Sequence, residues 1–270
     1  MLILAATPIG NIGDASERLK STLETANAIA AEDTRTLLKL ANHLGIKLAA
    51  ELISLHEHNE LQKLDRLVQI AQGSDLVLVS DAGMPTISDP GFALVRACAQ
   101  AGVEIQVVPG PSAVISALAV SGLSTDRFCF EGFLPRKSGE RKKVFESLIA
   151  ETRTMVFFES PHRIAESLSD AAEVFGVKRL ASVSRELTKK FEETKRGSLG
   201  ELLEWAQNQK GEMVLVIAGA QPVVWNLEDL VSKVLELKNT GTGLKQAATS
   251  VAKQYGASSS ELYALALKQL

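Results

Sequence analysis

Two Gly- and Pro-rich loops, each directly after a short apolar run, are the parts of this chain best suited to bind a ligand. Residues 80–85 (SDAGMP) follow the run LVLV, and residues 109–113 (PGPSA) follow a Val-Val pair. Short β-branched runs bounded by Gly and Pro are typical of buried parallel strands, and ligands bind at the carboxyl ends of such strands. Gly83 permits close backbone approach, and Asp81 adds a carboxylate. The pattern predicts one ligand cradle built from two neighbouring strand ends.

The strands that must carry these loops alternate with helical patterns. In the first half, strands are predicted at residues 2–6, 27–31, 52–55, 76–79 and 103–108. Such alternation implies a largely parallel sheet with helices on both faces. A second α/β unit follows a short linker, and the pattern beyond residue 221 is helical. The expected fold class is therefore α/β, with an N-terminal domain at 1–122, a C-terminal α/β domain at 123–221 and a helical tail at 222–270.

Composition and charge limit the possible functions. The net charge of −3 gives no general electrostatic attraction for nucleic acid, so any such contact must come from local basic patches. Cys98 and Cys129 have no metal-ligand spacing and are expected to be buried thiols in a reducing cytosol. The N-terminus lacks a basic leader, and no apolar stretch approaches the roughly 20 residues of a membrane span. We therefore expect a cytoplasmic protein.

Several common catalytic motifs are absent from the sequence. It contains no phosphate-binding P-loop, no G-x-G-x-x-G after the first strand and no G-x-S-x-G elbow, which disfavours a standard dinucleotide fold and a serine hydrolase. On a strand, His56 and His58 would share one face, where a metal pair is conceivable. Because no third ligand is in view, we expect no metal.

The strand-end loops, taken in order, carry a resemblance to a known family. The motifs are TPIGN at 7–11, AEDTR at 31–35, SDAGMP at 80–85, DPG at 89–91, PGPSA at 109–113, FCFEGFLP at 128–135, FESPHR at 158–163, RELTK at 185–189 and KGEMV at 210–214. They resemble the tetrapyrrole methylase (class III) superfamily and, within it, the bacterial small-subunit ribosomal RNA cytidine 2′-O-methyltransferases. Met84 stands where threonine is also common in that family.

This resemblance implies two α/β domains with a deep cofactor cleft between them, a small C-terminal helical module, a homodimer, and S-adenosylmethionine (SAM) as the cofactor. By motif position it implies a SAM site formed by strand-end residues: Pro8, Asp81, Ala82, Gly83, Pro85, Ile87, Ser112, Ala113, Phe158, Glu159 and Leu187. The Phe158 ring would offer a π face to the adenine or to the sulfonium cation, or would belong to the core.

The activity implied by the resemblance is SAM-dependent 2′-O-methylation of a cytidine ribose in small-subunit ribosomal RNA. A sugar hydroxyl becomes a good nucleophile only as its proton leaves, so positioning and a base supply the rate. Glu32 or Asp33 beside Arg35 is the favoured catalytic group, with Arg35 orienting a carboxylate or holding a phosphate. The residues alone do not rank this set against other strand-end groups, which are Asp81, Glu131, Glu159, Glu186, His56, His58 and His162.

Basic residues near these motifs are candidates for contacts with RNA phosphates, although such runs are often solvated helix faces. With the resemblance, RNA is expected at Arg136, Lys137, Arg141, Lys142, Arg163, Arg185 and Lys189, and such contacts make binding salt-dependent. Phe130 and Phe133 would either stack on a splayed base or belong to the core. The expected partner is small-subunit ribosomal RNA or the assembled small ribosomal subunit.

Two other functions stay open at this point. The superfamily fold equally supports a small-molecule methyltransferase acting on a tetrapyrrole-type substrate. The second possibility is a protein that has lost catalysis and acts as an RNA-binding factor in ribosome assembly. The helical tail is either a helix-turn-helix-like unit that contacts RNA or an arm for packing and dimerisation, with a turn at residues 256–258 and an N-cap at Ser258 or Ser259.

Overall fold

A computed structural model describes residues 1–56, 58–221 and 226–270, which form two compact units. The larger unit, Met1–Ala220, contains two five-stranded sheets. The smaller unit, Gln221–Leu270, is helical.

The first sheet is parallel, so the loops that follow its strands lie at one edge. Its strands have the order β3-β2-β4-β1-β5, and each registered pair is parallel. Because β1 lies between β4 and β5, the loops that follow these three strands meet. The elements are β1 (Leu2–Ala5), α1 (Glu17–Thr25), β2 (Ala28–Ala31), α2 (Thr34–Leu44), β3 (Glu51–Ser54), α3 (Glu60–Gly73), β4 (Leu76–Val79), α4 (Phe92–Gln100), β5 (Ile105–Val108) and α5 (Ala113–Val120).

The second sheet is mixed, with the order β6-β7-β10-β8-β9. Strands β6 and β7 are parallel, and the other pairs are antiparallel. Met213, which begins β10, pairs with both Glu159 and Arg185, so the ends of β7 and β8 flank the start of β10. The elements are β6 (Phe128–Phe133), α6 (Ser138–Ser147), β7 (Thr154–Glu159), α7 (Ile164–Phe175), β8 (Leu180–Arg185), β9 (Glu193–Ser198), α8 (Leu199–Trp205) and β10 (Met213–Ile217).

An apolar cluster joins the two sheets through α5. The helix reads AVISALAV; it buries one apolar face, whereas Ile115 is 52% exposed. It contributes Val114, Ala117 and Leu118, which lie in one cluster with Val156 and Val216 of the second sheet. This apolar cluster therefore fixes the orientation of the carboxyl edge of the first sheet relative to the second sheet.

The smaller unit consists of three helices around their own core: α9 (Leu227–Asn239), α10 (Leu244–Tyr255) and α11 (Ser259–Leu267). Helix α10 ends at Gly256, whose φ is 68°, and the Ser258 hydroxyl caps α11 by accepting from the Glu261 N–H at 3.4 Å. The turn expected at residues 256–258 is thus confirmed. Residues 222–225, where the predicted tail begins, lie outside the described residues, and the role of the tail stays a prediction.

The structure confirms the expected α/β class, the largely parallel first sheet and the C-terminal helices. Strand β9 begins at Glu193, where it pairs with Arg185 at the end of β8. The domain boundary at residue 122 stays a prediction, since one compact unit contains both sheets. Within the described residues, no helix is long and apolar enough to cross a membrane.

Gly219, which follows β10, lies against the backbone that precedes β7. A Cβ atom there would overlap the carbonyl oxygens of Thr152 and Arg153, and a rotamer change cannot relieve a backbone clash. We expect Gly219→Ala to lower the free energy of unfolding by about 2–3 kcal/mol, measured by urea titration. Gly139→Ala in α6, where a Cβ meets no atom within 4 Å, should be neutral or stabilising by up to about 1 kcal/mol. Equal losses in both variants would contradict the clash.

Candidate functional site

A cavity of about 300 Å³ opens where the carboxyl edge of the first sheet faces the ends of β7 and β8. The first sheet and its loops contribute Ile9, Glu32, Asp81–Met84 and Ile87–Asp89, and α5 contributes its first turn with Ser112. The facing wall consists of Phe133, Phe158, Glu159, Leu187 and residues 212–214. The two strand-end loops singled out in the sequence therefore share one cavity, as predicted.

Two backbone hydrogen bonds join the loop after β1 to the loop after β4 at the base of the cavity. The Thr7 N–H donates to the Gly83 carbonyl at 2.9 Å, and the Gly83 N–H donates to the Thr7 carbonyl at 3.1 Å. Gly83 has a φ of 83°, in the left-handed region where side chains are strained. A Cβ there would also approach Ile9 and the Pro111 carbonyl. Glycine thus allows this turn and leaves the backbone open to a ligand.

Strained residues flank the cavity on both walls. Thr86 and Ser88 have φ values of 76° and 63°, and Glu186 and Thr188 on the facing loop have values of 51° and 66°. A left-handed conformation in a non-glycine residue costs about 1–3 kcal/mol and tends to occur at functional sites. The strain therefore supports this cavity as the functional site.

Three carboxylates, Glu32, Asp81 and Asp89, line the first-sheet wall. The loops after β2 and β4 exchange hydrogen bonds: the Asp33 N–H donates to Asp81 Oδ1 at 3.1 Å, and the Asp81 N–H donates to Glu32 Oε2 at 3.4 Å. Burial raises the pKa of Glu32 and of Asp81, and neighbouring carboxylates add to both shifts. Burial, with the Glu32 charge, raises the pKa of Asp89 to about 6. The wall thus disfavours accumulated negative charge and suits a ligand that carries positive charge.

Asp33 and Arg35 form a pair of their own beside this wall. Arg35 Nη2 lies 2.7 Å from Asp33 Oδ2 and Arg35 Nε lies 3.0 Å from Asp33 Oδ1. Asp33 also caps α2, and the hydrogen bonds from Arg35 hold the pKa of Asp33 at about 2. Such a carboxylate is a poor proton acceptor at neutral pH, and neither residue is among the described residues that line the cavity. Of the three predicted catalytic residues, only Glu32 lines the cavity.

The facing wall combines aromatic rings with a buried ion pair. The Phe158 ring lies 4.9 Å from the Phe130 ring and 5.3 Å from the Phe133 ring. The Glu159 side chain is fully buried and lies 2.6 Å from Arg163 Nη2, and its other oxygen accepts from the Ser167 hydroxyl at 2.6 Å. Glu159 therefore holds the wall together, whereas the rings provide apolar surface.

The residues expected to hold a cofactor converge, with two exceptions. Asp81, Ala82, Gly83, Ile87, Ser112, Ala113, Phe158, Glu159 and Leu187 line the cavity, whereas Pro8 and Pro85 are not among its described lining residues. Sequence reasoning gave no role to Asp89, Glu212 or Met213. The motifs at 89–91 and 210–214 were the only signals for them, and these motifs carry no pattern specific to a ligand.

The predicted RNA-binding residues fall into two groups. Arg136 and Lys137 are exposed. Arg141 is 1% exposed and lies 2.6 Å from Asp170, which leaves its guanidinium no surface for an RNA phosphate. The others are half-buried and paired: Lys142 with Glu173, Arg163 with Glu159, Arg185 with Glu193 and Lys189 with Glu186 and Glu212. The basic run around residue 141 therefore lies partly in the core. The prediction that Arg141 contacts RNA directly is wrong.

His56 and His58 lie beyond the end of β3, so the strand alternation expected to put them on one face does not apply. The rings of His56 and His58 lie 6.2 Å apart, and His56 Nε2 lies 2.8 Å from Asn59 Nδ2. Glu57, between them, lies outside the described residues. In the rest of the chain, no group of three or more His, Cys, Asp or Glu side chains is arranged to hold a metal ion.

The sequence is similar to known proteins over most of its length. A family model described as tetrapyrrole (corrin/porphyrin) methylases matches residues 1–203. The protein of Mycobacterium tuberculosis named ribosomal RNA small subunit methyltransferase I is 46% identical over 265 residues, which cover 97% of this chain and 93% of that protein.

Solved structures of low sequence identity share the fold. The crystal structure of the methyltransferase CobJ has a TM-score of 0.61 at 19% identity, covering 81% of this chain and 94% of that one. A Thermus thermophilus uroporphyrin-III C-methyltransferase, crystallised with S-adenosyl homocysteine, has a TM-score of 0.55 at 15% identity, covering 80% of this chain and 96% of that one.

Proposed function

The chain belongs to the tetrapyrrole (corrin/porphyrin) methylase family, and on that premise we propose that it transfers a methyl group from SAM to the 2′-hydroxyl of a cytidine in small-subunit ribosomal RNA. The observation that carries the proposal is the similarity to a named ribosomal RNA methyltransferase over 97% of the chain. The substrate is the RNA in the small ribosomal subunit, the enzyme acts in the cytoplasm, and its working form is a homodimer.

The cavity lining fits SAM. When bound, SAM supplies a methyl group activated on a sulfonium cation. Ile9, Phe158 and Leu187 offer apolar surface for an adenine and the methylene chain of the methionine part, and the carboxylates of Asp81 and Asp89 offer negative charge for a sulfonium and an ammonium. The Ser112 side chain does not cap α5. The backbone N–H groups at the start of this helix are therefore suited to bind the carboxylate of the cofactor. These are the residues that would hold the cofactor.

A carboxylate of the acidic wall takes the proton of the ribose hydroxyl. Asp89 is the best suited, because a base works best when its pKa lies near the working pH and that of Asp89 is raised to about 6. Glu32 lies on the same wall, and its negative charge adds to the upward shift in the pKa of Asp89. Positioning of the hydroxyl in the cavity supplies the rest of the rate.

The test is methyl transfer from labelled SAM to small ribosomal subunits that lack this modification, followed by nucleoside analysis. We expect 2′-O-methylcytidine with the wild-type protein and almost none with Asp89→Asn. SAM binding without transfer to subunits or to their RNA would overturn the proposal. Methylation of a tetrapyrrole by the same preparation would then identify a small-molecule enzyme.

Replacement of Asp81 tests the cofactor site separately from the chemistry. We expect Asp81→Asn to weaken SAM binding at least tenfold, about 1.4 kcal/mol, because it removes a charge that faces a cationic ligand in a partly desolvated wall. Titration calorimetry with SAM measures the change. Asp75→Asn is the matched control, since Asp75 precedes the same strand, β4, at its opposite end and contacts the N-terminal amine. Equal affinity in the two variants would place SAM elsewhere.

A further inference from the structure

The segment from the last residue of β6 to the start of α6, residues 133–137, is held by two arginines through its backbone. Arg163 Nη1 donates to the Leu134 carbonyl at 3.2 Å. Arg141 Nη1 donates to the carbonyls of Pro135 and Arg136 at 3.2 and 3.3 Å. Three consecutive carbonyls therefore have guanidinium donors, and we call residues 133–137 the clamped segment.

Each of these arginines is anchored on a buried carboxylate. Arg141 Nε lies 2.7 Å from Asp170 Oδ2, and Arg163 Nη2 lies 2.6 Å from Glu159 Oε1. The Ser138 hydroxyl, in the first turn of α6, also donates to Asp170 at 2.9 Å. A planar guanidinium that binds a carboxylate and carbonyls together has a fixed orientation. The backbone of the clamped segment is therefore set before any ligand arrives.

The clamped segment presents an aromatic ring and two cations to its surroundings. Phe133 is 61% exposed, lines the cavity and contacts the Phe158 ring. Arg136 and Lys137 are exposed, whereas Leu134 between them and Phe133 is buried. An exposed aromatic platform followed by positive charge is the combination that binds single-stranded nucleic acid, because the ring stacks on a base and the cations hold the backbone.

We propose that the clamped segment is a pre-organised site for single-stranded RNA at the mouth of the cavity. Phe133 stacks on the base of a nucleotide there, Arg136 and Lys137 bind flanking phosphates, and Arg141 and Arg163 are positioning residues that act through the backbone. The inference rests on the proposed function and deepens it, since it identifies how the same site holds its RNA substrate.

The kinetics of methyl transfer to small subunits test whether Phe133, Arg136 and Lys137 contact the RNA. We expect Phe133→Leu to raise KM for the subunit about tenfold, through lost stacking, and to change the Kd for SAM much less. The double variant Arg136→Gln/Lys137→Gln should reduce the slope of log KM against log salt by about 1.4, for two phosphate contacts on a single strand. Lys178→Gln is the matched control, an exposed cation just before β8, at the end of the second sheet away from the cavity; it should change neither value.

A double-mutant cycle tests the positioning role. Arg141→Lys keeps a charge beside Asp170 but loses the fork that reaches two carbonyls, so we expect KM to rise several-fold with little change in kcat. In the Arg136→Gln/Lys137→Gln background the same replacement should have no further effect, because the side chains that it positions are gone. Additive effects would show structural damage and overturn the positioning role. If Arg141→Lys does not fold, Arg163→Lys repeats the cycle in the Phe133→Leu background, because Arg163 holds the Leu134 carbonyl next to Phe133.

A binding assay separates failure of this inference from failure of the proposed function. Wild-type and variant proteins are titrated with a single-stranded, pyrimidine-rich oligoribonucleotide. If the wild type transfers no methyl group but binds this probe in a Phe133-dependent way, the RNA site stands and the proposed function fails. The inference is overturned if the wild type does not bind the probe, if Phe133→Leu leaves KM unchanged, or if Phe133→Leu weakens SAM binding instead.

Discussion

Asp89→Asn is expected to stabilise the ligand-free protein at pH 8 by about 1 kcal/mol while lowering methyl transfer about a hundredfold. The stability gain follows from the raised pKa of Asp89, about 6, which reflects the cost of an anion in a desolvated wall beside Glu32. A shift of this size is worth roughly 3 kcal/mol for a fully buried group, and solvent screening at a half-buried carboxyl reduces it to about 1 kcal/mol. The loss of transfer follows from removal of a base, which is worth about a hundredfold or more.

The sign of the pH dependence follows from linkage. Because the pKa of Asp89 is higher in the folded protein than its ordinary value of 3.8, the folded state binds the proton more tightly than the unfolded state. The carboxyl therefore contributes stability below the ordinary pKa, and this contribution is lost as pH rises through about 6. Wild type and Asp89→Asn should thus diverge in urea titrations from about pH 4 to about pH 7 and differ by a constant amount above that range.

A control and a contrary result complete this test. Asp126→Asn, at an exposed position before β6, should change neither the stability nor the rate of transfer. A variant at position 89 that loses activity without gaining stability at high pH would show that the carboxyl is fully hydrated. Full activity in Asp89→Asn would show that Asp89 is not the base and would assign that role to Glu32.

The ligand cradle was predictable because its signals are local. Gly and Pro after β-branched runs mark strand ends, and a parallel sheet brings neighbouring ends to one edge. Gly83, with its left-handed φ, is the residue that such a turn requires. The parallel first sheet followed from the same alternation, so the sequence sufficed for the first-sheet wall of the cavity, whereas the mixed order of the second sheet had no such signal.

The charged residues were less predictable because their state depends on partners distant in sequence. Arg141 looks like a solvated helix residue, yet Asp170 on α7 draws it into the core. Asp33 looks catalytic beside Arg35, yet that arginine lowers its pKa to about 2. Asp89 looks like part of a turn, and its position in the acidic wall depends on left-handed Thr86 and Ser88, which have no sequence signal.

The largest loss of stability is expected from Asp170→Ala, about 3–5 kcal/mol in the free energy of unfolding. Arg141 is 1% exposed and its nearest carboxylate is Asp170, at 2.6 Å. Removal of the carboxylate leaves a buried guanidinium with only carbonyl partners and an exposed carboxylate, Glu166, at 3.6 Å. Carbonyl oxygens accept hydrogen bonds but do not neutralise the charge, so the desolvation cost of Arg141 is no longer offset. Urea titration measures the change.

Glu173→Ala shows whether burial or ion-pair distance sets this cost. Glu173 pairs with Lys142 at the same 2.6 Å, but its side chain is 66% exposed, so we expect a loss below about 1 kcal/mol. The double variant Arg141→Met/Asp170→Leu should recover most of the stability lost in Asp170→Ala, because it removes both buried charges and keeps the volume. Similar losses in Glu173→Ala and Asp170→Ala would contradict the role of burial. A stable double variant that still shows a raised KM for the subunit would separate the two roles of Arg141, because its core would be repaired while the Pro135 and Arg136 carbonyls would lack their donor.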